Sequence, residues 1–123
     1  MDVEEVAHKV IGVALKVHTA LGPGLLESSY KELLYYKLNE EGLFVEKEKP
    51  IPIMSEGIRL DCGYRMDLLI EKQLVIEIKA VETLHPIHLA QMLTYLRTGG
   101  FHLGLLINFN VLMLKDGIRR VIC

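Results

Sequence analysis

Two carboxylates and a lysine stand where the chain otherwise places apolar side chains. Asp67 lies in the run Arg65-Met66-Asp67-Leu68-Leu69-Ile70, and Glu77 and Lys79 lie in Leu74-Val75-Ile76-Glu77-Ile78-Lys79-Ala80. Ionised groups inside such runs are costly to bury unless they are paired or hold a metal ion. Glu71-Lys72-Gln73 separates the runs, and a hairpin centred on Lys72 sets Asp67 opposite Glu77 and Arg65 opposite Lys79. Opposed residues hold their Cβ atoms roughly 4.5–5.5 Å apart. Strand alternation puts Glu77 and Lys79 on one face, with Ile76, Ile78 and Ala80 on the other. Two carboxylates this close repel, so a shared proton, a cation or a metal ion must offset them. A hard cation such as Mg²⁺ suits one or two carboxylates completed by water and phosphate oxygens. A neighbouring lysine can orient or deprotonate water, or stabilise developing charge. Together these parts suit metal-assisted hydrolysis of a phosphodiester. They equally suit a cross-strand ion-pair network joining Asp67 to Arg65 or Lys79.

The register rests on the loop. Three-residue hairpin loops favour a glycine in the left-handed position, and Glu71-Lys72-Gln73 has none. A five-residue loop centred on Lys72 keeps the same pairing, whereas a two-residue loop breaks it.

Around this hairpin the chain reads as helix, helix, strand meander, helix, strand and a small closing hairpin. Asp2 and Glu5 have capping-box spacing, and Val3, Val6, Ala7, Val10, Ile11, Ala14 and Leu15 repeat at helical period. That helix is expected to stop near Ala20, before Leu21-Gly22-Pro23-Gly24. A second helix is expected from about Leu25 to Glu41, with Gly42 as its stop. Pro50 and Pro52 make the segment from Phe44 to Ile53 an edge or irregular strand. Ser55-Glu56-Gly57 reads as a turn, and Gly63 marks a bulge before the Asp67 strand. Pro86 suits the first turn of a helix lasting to about Thr98, with Leu89, Met92, Leu93 and Leu96 as its core stripe. His88, Gln91 and Tyr95 form a second stripe beside it, at a spacing that suits either a cleft wall or an exposed flank. Leu103 to Phe109 reads as a buried strand, and Lys115-Asp116-Gly117-Ile118 as a tight turn between two short closing strands. The sum is a mixed α/β domain, one sheet packed by helices.

Glu27 falls in the first turn of the second helix, sharing a face with Tyr30 and Leu34. By position alone it reads as an ordinary acid at a helix start. At 123 residues the chain is long enough for one real core, and a single domain over residues 1–123 is expected. A net charge of −2 and a pI near 6.2 argue against gripping nucleic acid by bulk electrostatics, so any such contact is local, metal-assisted or partner-assisted. No apolar run is long enough to span a bilayer, and no signal-peptide pattern is present. Cys62 and Cys123 form no metal spacing or disulfide framework, which suits a cytoplasmic protein. The five histidines show no zinc spacing, and no P-loop, dinucleotide turn or nucleophile elbow occurs.

Several segments together resemble one family. Gly24-Leu25-Leu26-Glu27-Ser28-Ser29-Tyr30 has the form that names the GxxExxY proteins, and Tyr64-Arg65-Met66-Asp67-Leu68-Leu69, Glu77-Ile78-Lys79-Ala80-Val81-Glu82, Gln91-Met92-Leu93-Thr94-Tyr95-Leu96 and Gly104-Leu105-Leu106-Ile107-Asn108-Phe109 follow in order. That family is grouped with the PD-(D/E)XK nuclease-like superfamily, although Met66 stands where the superfamily name has proline. The resemblance implies a restriction-endonuclease-like αβββαβ core, with an extra N-terminal helix and a C-terminal hairpin. It implies Mg²⁺ or Mn²⁺ held by Asp67 and Glu77, with the Ile78 carbonyl and Glu27 as further ligands, and a water positioned by Lys79. Gln91 and Tyr95 resemble the QxxxY element of RecB-like nucleases. Tyr30 and Arg65 complete the side chains expected near a DNA or RNA substrate. A homodimer or a partner protein would supply recognition elements that so short a chain lacks. The competing expectation is a catalytically inactive module on the same fold, binding nucleic acid or a protein.

Overall fold

The computed structural model describes all 123 residues, Met1 to Cys123. Helix α1 (Val3–Leu21) opens with the expected capping box. Asp2 Oδ1 accepts from the Glu5 amide at 2.9 Å, and Glu5 Oε1 accepts from the Asp2 amide at 3.4 Å. Its buried stripe is Val6, Val10, Val13, Ala14 and Val17. Helix α2 (Glu27–Glu40) buries Tyr30, Leu34 and Leu38, with Leu33 and Tyr35 packed partly against the same core.

Seven strands follow the helices: β1 (Val45–Pro50), β2 (Ile53–Ser55), β3 (Ile58–Leu60), β4 (Arg65–Ile70), β5 (Leu74–Lys79), β6 (Leu103–Asn108) and β7 (Ile118–Ile122), with helix α3 (Pro86–Gly99) between β5 and β6. The main sheet has the order β1-β4-β5-β6-β7, with β5 and β6 parallel and the other pairs antiparallel. The parallel pair needs a crossover, and α3 supplies it. Strand β1 takes an edge, where Pro50 costs no ladder bond.

Three layers result. Ile70, Ile76, Ile78, Leu105 and Ile107 pack with α1 and α2, and Leu69, Val75 and Leu106 pack with α3. Gly104 lets α3 approach, because a Cβ there would stand 2.5 Å from Met92 Sδ. The αβββαβ core and the mixed sheet are therefore as the sequence leads one to expect.

Four details differ. Strands β2 and β3 form a separate two-stranded sheet rather than part of a single one. Its turn carries Glu56 and Gly57 at φ 49 and 78, and a loop holding Gly63 at φ 82 separates it from β4. The segment around Lys115 is a 3₁₀ turn, Leu114–Gly117, so β6 and β7 pair across a longer connection without two short closing strands. A Cβ on Gly117 would clash with the Asn108 carbonyl, which explains why that turn needs glycine. On α3 the buried residues are Met92, Tyr95 and Leu96, while Leu89 is exposed, because the helix turns its Tyr95 side to the sheet.

Candidate active site

The β4–β5 ladder pairs Leu68 with Ile76, Leu69 with Val75 and Ile70 with Leu74, symmetric about Lys72. The loop achieves this without glycine by holding Glu71 and Lys72 at φ 53 and 55. Local bonds compensate. The Gln73 amide donates to the Ile70 carbonyl at 2.9 Å, the Glu71 amide to the Phe44 carbonyl at 2.8 Å, and the Phe44 amide to Glu71 Oε2 at 2.6 Å.

One step outward from Leu68 and Ile76, Asp67 comes opposite Glu77, and there side chains replace the ladder. The Asp67 amide donates to Glu77 Oε2 at 2.7 Å, and the Ile78 amide donates to Asp67 Oδ2 at 2.8 Å. The two carboxylates thus wedge the strands apart while remaining tied to the backbone. The ladder does not extend to Arg65 and Lys79, since the strands have parted; Arg65 pairs with Pro50 instead and is exposed.

Face alternation also slips here. Leu68 packs toward α1 and α2, whereas Met66 and Leu69, three apart, both pack toward α3. Asp67 lies within this slip and is reached from both layers. Lys31 of α2 approaches its Oδ1 to 3.8 Å, and its charge is felt by Tyr95 of α3.

Electrostatics mark the same spot. Burial pushes Glu77 up to about 8, and the Asp67 charge adds to the rise; the Asp67 amide and the Lys79 charge oppose it. Burial also raises Glu27, at the first position of α2, with Lys79 pulling it down and Asp67 pushing it up. Burial raises Tyr95 to about 12, helped by Glu77, Tyr64 and Asp67. Acids from β4, β5 and α2, a lysine from β5 and a tyrosine from α3 therefore share one field. Lys79 also borders a cleft of about 460 Å³ lined by Ile87, His88, Ala90, Gln91 and Thr94.

The donor set can be tested against a divalent ion. Asp67 Oδ2 and Glu77 Oε2 are engaged by amides, which leaves Asp67 Oδ1 and Glu77 Oε1 without an amide partner. No three histidine, cysteine or acidic residues stand close enough to form a preformed cage. Two carboxylates completed by water and phosphate is the usual Mg²⁺ arrangement, so the pair fits a hard cation.

Tyr30 does not join the site. Its side chain is fully buried, stacks on Phe109 at 4.6 Å, donates to the Gly22 carbonyl at 2.6 Å and accepts from the Leu25 amide at 3.1 Å. It fixes the loop before α2, and through it Glu27. Tyr95 is 4% exposed, meets Tyr64 edge-on at 6.3 Å and lines with it a neighbouring cavity of about 370 Å³, which shares Gln91 and Thr94 with the Lys79 cleft.

Three residues that spacing alone does not single out belong to the site's frame. Lys31 follows Glu27 by one helical turn, which is the signal that could have found it. Glu48 pairs with Lys31 at 3.1 Å, and no sequence pattern marks it. Asn108, at the end of β6, accepts from the Val81 amide at 3.0 Å and donates to the Val81 carbonyl at 2.9 Å, while the Phe109 amide donates to the Lys79 carbonyl at 2.9 Å. Those bonds hold the chain straight after Lys79.

A mixed sheet between helix layers, gathering acids and one lysine where its central strands part, defines a restriction-endonuclease-like class of domain. A family model described as the PD-(D/E)XK nuclease superfamily matches residues 4–121, and the chain belongs to that superfamily. Nucleases of this superfamily typically use divalent metals. Comparison with curated proteins gives no match, and comparison with solved structures gives none either.

Proposed function

We propose that this protein is a nuclease of the GxxExxY group that hydrolyses phosphodiester bonds of DNA or RNA with Mg²⁺ or Mn²⁺. The observation that carries this reading is the Asp67–Glu77 pair, tied to opposite backbones at 2.7 and 2.8 Å with one oxygen of each left over. In this reading Asp67 and Glu77 hold the ion, with the Ile78 carbonyl as a further ligand. A divalent ion bound there supplies positive charge for the phosphate and acidifies water.

The chain's own residues do the rest. Lys79 orients the attacking water and stabilises the charge that builds on the phosphate oxygens. Glu27, whose pKa burial raises above the ordinary carboxylate range, stands at the rim, where it is placed to exchange a proton. Gln91 borders the Lys79 cleft and contacts the substrate strand there, with Tyr95 behind it and Arg65 at the exposed end of β4. Recognition surface beyond these residues comes from a second copy or a partner protein, consistent with a net charge of −2. Two free, exposed cysteines suit a reducing cytoplasm.

The test is cleavage of labelled single- and double-stranded DNA and RNA in Mg²⁺. Asp67→Ala and Lys79→Ala are expected to lower the rate by at least about a hundredfold. Equal cleavage by wild type and both variants would assign the activity to a contaminant. Absence of cleavage by wild type, with nucleic acid still bound, would favour the inactive module.

A further inference from the structure

Lys31 approaches the candidate ion site from α2 and is paired by Glu48 of β1, and nothing in the hydrolytic reading uses either residue. Their placement is specific. In the β1–β4 register Lys47 pairs with Leu68 and Lys49 with Met66, so Glu48 falls opposite Asp67. Alternation along a strand should send Lys47 and Glu48 to opposite faces. Both instead reach α2: Lys47 bonds Glu32 at 2.8 Å and Glu48 bonds Lys31 at 3.1 Å. Strand β1 manages this by holding Glu48 at φ 52, a left-handed conformation that costs a non-glycine residue of order 1 kcal/mol. The chain thus departs from strand geometry at the one position that faces Asp67, and the result is a glutamate laid on Lys31.

Lys31 itself is 14% exposed, and its Nζ lies 3.8 Å from Asp67 Oδ1. That oxygen is the one the Ile78 amide leaves free. An ion ligated by Asp67 would therefore use the oxygen that Lys31 faces. Burial opposes the lysine's charge, but the Glu48 bond and the Asp67 charge outweigh it and raise its pKa.

Resting on the ion-site reading above, we infer that Lys31 is a positioning residue that sets the cation affinity of the Asp67–Glu77 pair, with Glu48 tempering it. Lys31 serves as the resident counter-charge of Asp67 and repels a divalent ion arriving on the same oxygen. Glu48 draws the ammonium away and supplies a compensating negative charge. The pair is neutral overall, but its two halves act on an incoming cation with opposite sign. A phosphate arriving with the ion reverses the balance, since Lys31 then faces added negative charge. The consequence is a site that loads its ion most readily together with substrate.

The test is titration of the metal-free full chain with Mn²⁺ alone, read by calorimetry, for wild type, Lys31→Met, Lys31→Arg, Glu48→Gln and Asp67→Asn. An ammonium about 5 Å from a dication, in a water-like dielectric, is worth on the order of tenfold in affinity. Lys31→Met is expected to bind Mn²⁺ on the order of tenfold more tightly, and Glu48→Gln several-fold more weakly, from the same interaction. Lys31→Arg, which keeps the charge, stays near wild type. A merely structural role would weaken binding in both Lys31→Met and Glu48→Gln, or leave both unchanged, and either pattern overturns the inference. If Mn²⁺ binding is lost in Asp67→Asn while those patterns appear, the ion site stands and only this inference fails. If wild type binds no Mn²⁺, or Asp67→Asn binds as wild type does, both fall.

Discussion

At the scale of single residues, the site is governed by how little room Glu77 has for its charge. It is 6% exposed, faces Asp67 and feels the charge of Glu27 from α2, with the Asp67 amide and then the Lys79 charge as its relief. Its folded-state pKa, about 8, lies above the ordinary 4.5. The folded chain therefore holds more protons than the unfolded chain between those values, and stability falls as pH rises through that window. Metal-free protein is expected to lose on the order of a few kcal/mol between pH 4.5 and pH 8, measured by urea unfolding. Glu77→Gln keeps an acceptor for the Asp67 amide and removes the charge, so it should flatten that pH profile and raise stability near pH 8 while abolishing Mn²⁺ binding. An ion-pair network maintained for stability alone predicts the reverse, a loss of stability in Glu77→Gln. Mn²⁺ affinity of wild type should climb with pH over the same window, because the ion displaces a proton from Glu77.

At the scale of elements, the site depends on two devices that hold strand ends in place. The first is the β4–β5 loop, where Glu71 and Lys72 take left-handed conformations. Lys72→Gly relieves one of them and should raise stability by roughly 0.5–1 kcal/mol in denaturant unfolding, the gain limited by glycine's greater entropy when unfolded. The second is Asn108, whose side chain bonds both polar atoms of the Val81 backbone. Asn108→Ala leaves them without those partners. It should cost about 1–3 kcal/mol, speed hydrogen exchange at the Val81 amide and lower cleavage through a loosened Lys79. Elements of this kind differ in how well a sequence shows them. The symmetry about Lys72 was readable because apolar runs on both sides fix the register. How the loop holds that register without glycine was not, because bonds between Glu71 and Phe44, distant in sequence, carry the strained turn. Helix α1 was readable to within a residue from its cap and period, and α2 less so, having only three buried positions. The 3₁₀ turn at Leu114 was hidden because Lys-Asp-Gly serves a hairpin turn and a helical turn equally well.

At the scale of the whole molecule, α1 and α2 cover one face of the sheet, α3 the other, and the acids collect where β4 and β5 part between the layers. That convergence explains which site residues were legible. Asp67, Glu77 and Lys79 stood out as charges in apolar runs. Glu27 and Gln91 drew weight only from the resemblance. Lys31 and Glu48 come from two further elements, and only the packing of α2 against β1 joins them. Tyr30 misled because it follows Glu27 by three residues on the same helical face, while its hydroxyl closes the Gly22–Leu25 loop. No helix is long and apolar enough to cross a membrane. With a net charge of −2, the chain has little general attraction for a polyanion. Nucleic-acid binding, followed by fluorescence anisotropy with cleavage suppressed by Lys79→Ala, should therefore weaken by at least about tenfold when EDTA removes the divalent ion. The proposed hydrolysis depends on an ion between Asp67 and Glu77. Crystals soaked in Mn²⁺ and measured at the manganese absorption edge test it most directly. The expected result is an anomalous peak about 2.1 Å from an oxygen of each carboxylate, lost in Asp67→Asn. A well-occupied peak elsewhere, or none at this pair, would contradict the account.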